Sequence, residues 1–455
     1  MSKNKQTADL GTGSIPKLMV KMAVPAVVAQ VVNLLYNIVD RIYIGQGVGA
    51  LALTGVGLCM PLMMFMNAFA MLAGSGGAPR AAIAMGRGDR NEAGKIMSNS
   101  FSLLLLFSVG ITVLYLLAAE PLLLMFGASA DTLPYAMDYM NIISWGSVFT
   151  LLVMGLNPFL TAQGLSTVAM MTTVIGAVTN IVLDPIFIFG LGMGVRGAAL
   201  ATVMSQAVGA LWVTYTLSRS KKSVLKITPA GMKLDPKVFG PSLALGVSGF
   251  VMVATESLLS ISFNSSLQRY GGDLAVGSMT ILTSCIQLAQ MPASGIAQGC
   301  APITSFNFGA GNHDRVKKCF YLQLAVAAGY TVLFWIAAMV MPQVFVQIFN
   351  KDAALVEHTV WAMRIYMAGV FSLGFQLTCQ QSFVALGQAK VSLFMACLRK
   401  LILLIPLIFI LPMFFENKVF AVFLAEPISD IIAALATTGT FFFRFDKILK
   451  EGTLR

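Results

Sequence analysis

Charge is what this sequence has least of. Asp, Glu, Lys and Arg make up 11% of its 455 residues, against 57% hydrophobic residues. A soluble domain carries about 25% charged residues, enough to coat its surface. This chain cannot coat one, so a water-soluble globular fold is excluded, and so is a charge-rich disordered chain. Histidine is nearly missing, with two copies, His313 and His358, both read as loop residues. There is no HExxH, no serine-hydrolase signal and no GxxxxGK[ST] loop, so neither an intramembrane enzyme nor an ATP-driven pump is supported. No TVGYG-like filter argues for a channel. The six cysteines (Cys59, Cys285, Cys300, Cys319, Cys379 and Cys397) form no CxxC pair. They read as small apolar core residues, with no disulfide framework and no metal centre expected.

What the chain has is long apolar runs. A helix needs about 20 apolar residues to cross a ~30 Å hydrocarbon core. Twelve runs qualify: 17–43, 50–73, 97–118, 135–158, 168–190, 196–218, 238–263, 274–299, 319–341, 359–384, 392–413 and 419–442. They are too long and too evenly apolar for barrel strands, so an all-α integral membrane protein is expected. The first run follows a polar leader carrying Lys3, Lys5 and Asp9 and reads as an uncleaved helix rather than a signal peptide. If both termini are cytoplasmic, 24 of the 30 Lys and Arg fall on the inner side, including Arg399 and Lys400, and 6 on the outer. That asymmetry supports twelve spans with both ends inside. The net charge of +11 then reflects topology and attraction to anionic lipid, and no nucleic-acid partner is implied.

The chain also repeats itself. Gly76-Gly77-Ala78-Pro79 and Gly86-x-Gly88, after the second run, recur as Gly299-Cys300-Ala301-Pro302 and Gly309-x-Gly311 after the eighth. The offset is 223, and it also relates Ala162-Gln163-Gly164 to Ala385-Leu386-Gly387. The expected units are residues 1–220, a cytoplasmic linker 221–236, and residues 237–455. Six spans per unit is an even number, so the repeats are parallel, as in transporters whose halves rock about a central cleft.

Acids inside apolar runs are the informative anomalies, because each costs about 2.5–3.5 kcal/mol or more at the bilayer centre unless paired or neutralised. The candidates are Asp40, Asp184, Glu256, Glu426 and Asp430. Gln30, Asn33, Asn37 and Asp40 make one polar face on the first helix, flanked by Tyr36 and Tyr43, with Pro25 one turn before it as the expected kink. Asn180 and Asp184 share a face of the fifth helix, ahead of Pro185. Two buried carboxylates can share one proton, and the same oxygens suit Na⁺. A structural hydrogen-bond cluster is the competing reading, with Arg41 as an ion-pair partner for Asp40. Glu256 and Ser260 share a face of the seventh helix, and Gln287 lies on a polar stripe of the eighth with Thr280, Thr283 and Ser284. Gln376 and Gln380 share a face of the tenth, and Glu426 and Asp430 bracket Pro427. Met63 belongs to a methionine cluster beside Asn67, and flexible thioethers suit a pocket that accepts many shapes.

Twelve spans in two repeats, the Asn-x-x-Asp of Asn37–Asp40, the repeated Ala-Pro/Gly-x-Gly element and the Asn-x-x-x-Asp-Pro from Asn180 together resemble the multidrug and toxic compound extrusion (MATE) family. The likeness covers nearly the whole chain and is greatest to its DinF- and MepA-like bacterial branches. It implies a V-shaped pair of six-helix lobes in a bacterial plasma membrane. The implied activity is antiport of cationic amphipathic compounds against H⁺ or Na⁺, by a monomer without a cofactor. Asp40 and Asp184 resemble the family's coupling carboxylates, with Asn157, Asn180 and Thr202 as polar partners. Asp40, Asn180 and Asp184 are the candidate Na⁺ ligands. Asn33, Tyr36, Asn37, Met63, Asn67, Glu256, Ser260, Gln287 and Gln376 are the candidate substrate contacts. Glu256 resembles the carboxy-lobe acid of some sodium-coupled members, but their tenth-helix carboxylate is missing here, where Gln376, Gln380 and Gln381 stand. That departure shifts the expected coupling site to the amino lobe. The rival reading is a flippase or exporter of a lipid-linked or other specific metabolite. A lipid-linked cargo would call for several cations along the cleft, whereas the buried ionisable groups here are mostly acidic.

Overall fold

The computed structural model describes residues 10–349 and 352–452, so Lys3, Lys5 and Asp9 of the leader, with Lys351 and Arg455, lie outside the described residues. Six long helices make the amino lobe: α1 (Ile15–Gly47), α2 (Leu51–Gly86), α3 (Arg90–Met125), α4 (Leu133–Ala162), α5 (Ser166–Gly190) and α6 (Gly194–Ser218). A 74-residue helical stretch, Pro236–Gly309, opens the carboxy lobe. At 1.5 Å per residue it would run to about 110 Å, far beyond a bilayer, if it were straight. It breaks at Gly272, whose φ of 61° and ψ of −160° suit a residue without Cβ, giving α7 (236–271) and α8 (273–309). Then follow α9 (His313–Val340), α10 (Ala353–Ala385), α11 (Ala389–Met413) and α12 (Lys418–Glu451). Twelve spans are thus present among the described residues, in two six-helix lobes.

The helices overrun the apolar runs that announce them; 97–118 grows to Arg90–Met125. Backbone hydrogen bonding continues past the hydrocarbon until a cap stops it. Asp89 caps α3 by accepting from the Glu92 amide at 2.8 Å, and Asp235 caps α7 through the Lys237 amide at 2.9 Å. For the same reason the two Gly/Ala-Pro elements, expected just after helices, lie inside α2 and α8. His358 lies within α10 rather than in a loop, its Nδ1 2.8 Å from the Ser278 hydroxyl, and His313 is the first residue of α9.

Each lobe has its own apolar core, and they meet along α1, α2, α7 and α8 at the end carrying the basic loops. Small residues let backbones touch there. A Cβ on Gly86 would stand 2.0 Å from the Phe306 carbonyl oxygen, and one on Gly309 would stand 2.0 Å from that of Ile83. Both pairs obey the 223 offset, so α2 and α8 cross reciprocally. The leading ends of α1 and α7 also exchange lobes. Ile15, Leu18, Met19 and Met22 pack on Cys300, Ile303 and Cys319 of the carboxy lobe, where Arg315 donates to the Gly13 carbonyl at 2.7 Å. Val238, Phe239 and Leu243 pack on the amino-lobe core. The Asn99 side-chain amide there donates to the Gly231 carbonyl at 2.8 Å, and Arg80 donates to the Val238 carbonyl at 2.6 Å.

One correction concerns charge. Arg399 and Lys400, counted above among inner-side residues, are 6% and 5% exposed within α11. Removing both leaves 22 basic residues on that side, so the asymmetry survives, but the carboxy lobe gains two interior cations. They lie seven and eight residues inside the run 392–413, a depth that a loop assignment overlooks.

Candidate functional site

The amino lobe gathers its polar side chains where α1, α4, α5 and α6 converge. Asp184, one helical turn after Asn180, is fully buried, as is Asn180. The Asn180 amide donates to Asp184 Oδ1 at 3.3 Å and lies 3.5 Å from the Thr202 hydroxyl. Asp40 comes from α1 to within interaction reach of Asp184, and Tyr36, one turn earlier, neighbours both acids. Directly after Asp184-Pro185 the helix loosens into a π turn, Ile186–Gly190, a distortion frequent at functional sites. Arg41 turns away onto the Met60 sulfur at 3.8 Å. Among the described residues no ion pair neutralises Asp40 or Asp184, and the expected alternative of an Asp40–Arg41 pair is not what forms. Three oxygens at this cluster, Asp40 Oδ1, Asn180 Oδ1 and Asp184 Oδ2, are buried without a hydrogen-bond partner. Such atoms are costly unless something occupies them. All are hard oxygen donors, suited to a proton or Na⁺.

Next to this cluster lies a cavity of about 400 Å³. Asn33 and Tyr36 line it from α1, Asn157 from α4, Met170 and Thr173 from α5, and Gln206 from α6. The carboxy lobe adds Met252, Gln298 and Gln380. Among the described residues no Asp, Glu, Lys or Arg lines it; its polarity is that of amides and hydroxyls among methionine and alanine. Tyr36 both lines the cavity and neighbours the two carboxylates, so it joins neutral chamber to charged end. Asn157 donates to the Ala169 carbonyl at 3.1 Å and faces the chamber rather than the acids.

The other expected contacts scatter. Asn37 donates to the Asn33 carbonyl on its own helix at 2.6 Å. Met63 packs on the amino-lobe core, and Asn67 leaves a buried oxygen unpartnered. Ser260 and Gln287 are exposed and do not border the cavity. Gln376 is buried beside a much smaller void shared with Arg399 and Lys400. Glu256 is ion-paired with Lys400. Glu426 and Asp430 both face Arg399, at 3.5 and 2.8 Å.

A family model described as MatE matches the chain twice, over residues 25–186 and 250–410, which together are well over half of it. The chain belongs to the MatE family. The two matched segments start 225 and end 224 residues apart, close to the 223 offset. MatE chains are transporters, not enzymes, and this one is a multi-pass membrane transporter. It is 25% identical over 433 residues to the multidrug export protein MepA of Staphylococcus haemolyticus, covering 95% of each chain. A solved MATE structure in the bent conformation superposes with a TM-score of 0.92, at 24% identity and 99% coverage of both chains. A MOP-superfamily transporter from Pyrococcus furiosus, described by a reversed polarity of its binding pocket, gives a TM-score of 0.91 at 25% identity and 98% coverage of both.

Within this MatE chain, sequence reasoning missed Met154, Thr173, Gln206 and Gln298 as cavity residues. Nothing marks them, because each is a polar or sulfur-bearing side chain on a helix with several such positions. Arg399 and Lys400 were findable, since basic residues in mid-run demand partners.

Proposed function

We propose that the protein is a secondary active antiporter that exports cationic, amphipathic drugs or metabolites in exchange for H⁺ or Na⁺. One observation carries the reading: half-buried Asp40 and fully buried Asp184 meet in the amino lobe, ion-paired to no basic residue among the described residues, and are joined through Tyr36 to a chamber of drug-sized volume. Two facing carboxylates in low dielectric strongly prefer to acquire positive charge. Coupling ion and cationic cargo both supply it, so they compete, which is what antiport requires. With the ion on Asp40 and Asp184, the first helix repacks near Pro25, the hold on cargo weakens and cargo leaves. The ion-loaded protein then rocks about the contact between α2 and α8 and discharges the ion inward. α1 runs helical through Pro25, which supplies a segment lacking one backbone hydrogen bond. The units that rock are residues 1–220 and 237–455, joined by 221–236, in a monomer in the bacterial plasma membrane with both termini cytoplasmic. Export of a lipid-linked or other specific metabolite is the second reading. Arg399 and Lys400 favour it, but both already face carboxylates.

Purified protein in proteoliposomes tests this with ethidium as cargo, under an imposed pH gradient and then a Na⁺ gradient. Ethidium movement driven by one gradient and lost in Asp40→Asn, with the variant still folded, is expected. Normal movement by Asp40→Asn would sink the mechanism. No movement under either gradient would remove the cationic-cargo claim and turn the search to lipid-linked substrates.

A further inference from the structure

The carboxy lobe holds a charge count that does not close. Three carboxylates, Glu256 from α7 and Glu426 and Asp430 from α12, face two cations, Arg399 and Lys400 from α11. Arg399 is divided: its Nε donates to Asp430 Oδ1 at 2.8 Å and its Nη2 approaches Glu426 Oε1 at 3.5 Å. Lys400 is committed to Glu256 and to the Met252 carbonyl at 2.6 Å. Glu426 and Asp430 are 5% and 2% exposed, and Asp430 Oδ2 is buried with no partner. Tyr366 of α10 is the remaining titratable neighbour and, as a phenol, brings no positive charge. Glu256 reaches solvent, its side chain 52% exposed, and takes up Lys400, so with every group ionised the unbalanced negative charge falls on the buried trio of Arg399, Glu426 and Asp430, a strongly disfavoured state. A metal ion is a poor remedy. It would sit against the Arg399 guanidinium, which repels it, and no group of three or more His, Cys, Asp or Glu able to hold a metal occurs among the described residues. A proton bonds to one oxygen and needs no shell of ligands.

We propose that Glu426 and Asp430 share one exchangeable proton, making the carboxy lobe a second proton-binding site apart from Asp40 and Asp184. On loading, a hydronium ion gives its proton to a carboxylate oxygen of the pair and leaves as water; on unloading the O–H bond passes its proton back. The path is short. A void of about 10 Å³, room for about one water, adjoins Arg399 and Lys400 and is bounded by Met252 and Gln380, which also line the main chamber. Both cations lie on a π turn, Leu398–Leu404, which lets consecutive residues address different acids. Only the proton's use as a driving force rests on the antiport reading; its binding does not.

The test is infrared spectroscopy of the purified full-length protein in detergent, titrated from acid to alkaline pH and back. The protonated-carboxyl carbonyl signal should contain a component that disappears at alkaline pH and returns on acidification. Asp430→Asn and Glu426→Gln should each lose that component, because either leaves two acids and two cations in balance, whereas Asp184→Asn should keep it. Balance also predicts that both variants fold, and either alone suffices. In proteoliposomes the proton-to-cargo ratio should fall by one in Asp430→Asn. Wild-type carbonyl signal in both variants, or a component that never responds to pH, would overturn the site. Loss of the component without any gradient-driven transport in the wild type would uphold the site and sink the antiport reading instead.

Discussion

The two lobes use one scaffold and reach opposite electrostatic solutions. Applying the 223 offset, Asn157 corresponds to Gln380, and their bonds correspond too: Asn157 donates to the Ala169 carbonyl at 3.1 Å, and Gln380 to the Ser392 carbonyl at 2.9 Å. The amide anchor between the fourth and fifth helix of each repeat is therefore kept. The acids are not. Over offsets of 223 to 225, Asp40 meets Phe263, Asn264 or Ser265 and Asp184 meets Leu407, Ile408 or Phe409, none of them acidic. Among the described residues, the Asp40–Asp184 cluster has no ion-paired cation, whereas the carboxy-lobe cluster of three carboxylates has two cations to face them. A duplicated fold thus separates what must be the same, the packing of helices, from what is free to diverge, the charge carried between them.

The comparison can be broken most forcefully at Arg399. Arg399→Met leaves Glu426 and Asp430 buried without a cation, and breaking such a pair costs about 3–5 kcal/mol. A large drop in thermal stability in detergent is the expected result, greater than for Asp184→Asn, which removes a charge that nothing balanced. A smaller drop for Arg399→Met than for Asp184→Asn would mean that the carboxy-lobe charges are solvated after all.

The contact between lobes comes next. Gly86→Ala places a Cβ 2.0 Å from the Phe306 carbonyl oxygen, an overpacking expected to cost about 1–3 kcal/mol. The strain is confined to the state in which α2 and α8 touch, so the variant should favour separation at the basic end. Cysteine pairs across α2 and α8 would report it as reduced cross-linking. Unchanged cross-linking would show that the crossing tolerates a methyl group and is no pivot. The smallest effect is expected at Ser260 and Gln287. Both are exposed and away from the chamber, so Ser260→Ala and Gln287→Ala should leave ethidium transport within about twofold of wild type in the same vesicles.

Those last two residues also mark where sequence reading stops. Hydropathy places all twelve spans, since crossing hydrocarbon leaves little freedom in composition. The repeat at 223 is legible because Gly86 and Gly309 stand where backbones touch and a Cβ would meet a carbonyl oxygen. Asn180 and Asp184 are legible as one face by their spacing, and Asp40 by the cost of an acid in mid-helix. Which way a polar stripe points is not legible. Thr280, Thr283 and Ser284 spend their hydroxyls on carbonyls one turn back on α8, a use that spacing alone does not distinguish from a binding face. The exchange of α1 and α7 leading ends between lobes depends on contacts some 300 residues apart, such as Arg315 with Gly13, and leaves no local trace.

The most direct test of the account sets the lobes against each other in one assay: pH- or Na⁺-driven ethidium export by Asp184→Asn and by Asp430→Asn, reconstituted side by side. Export abolished in Asp184→Asn and retained in Asp430→Asn, with fewer protons moved per cargo, is the predicted result. Export retained in Asp184→Asn would contradict the assignment of coupling to the amino lobe.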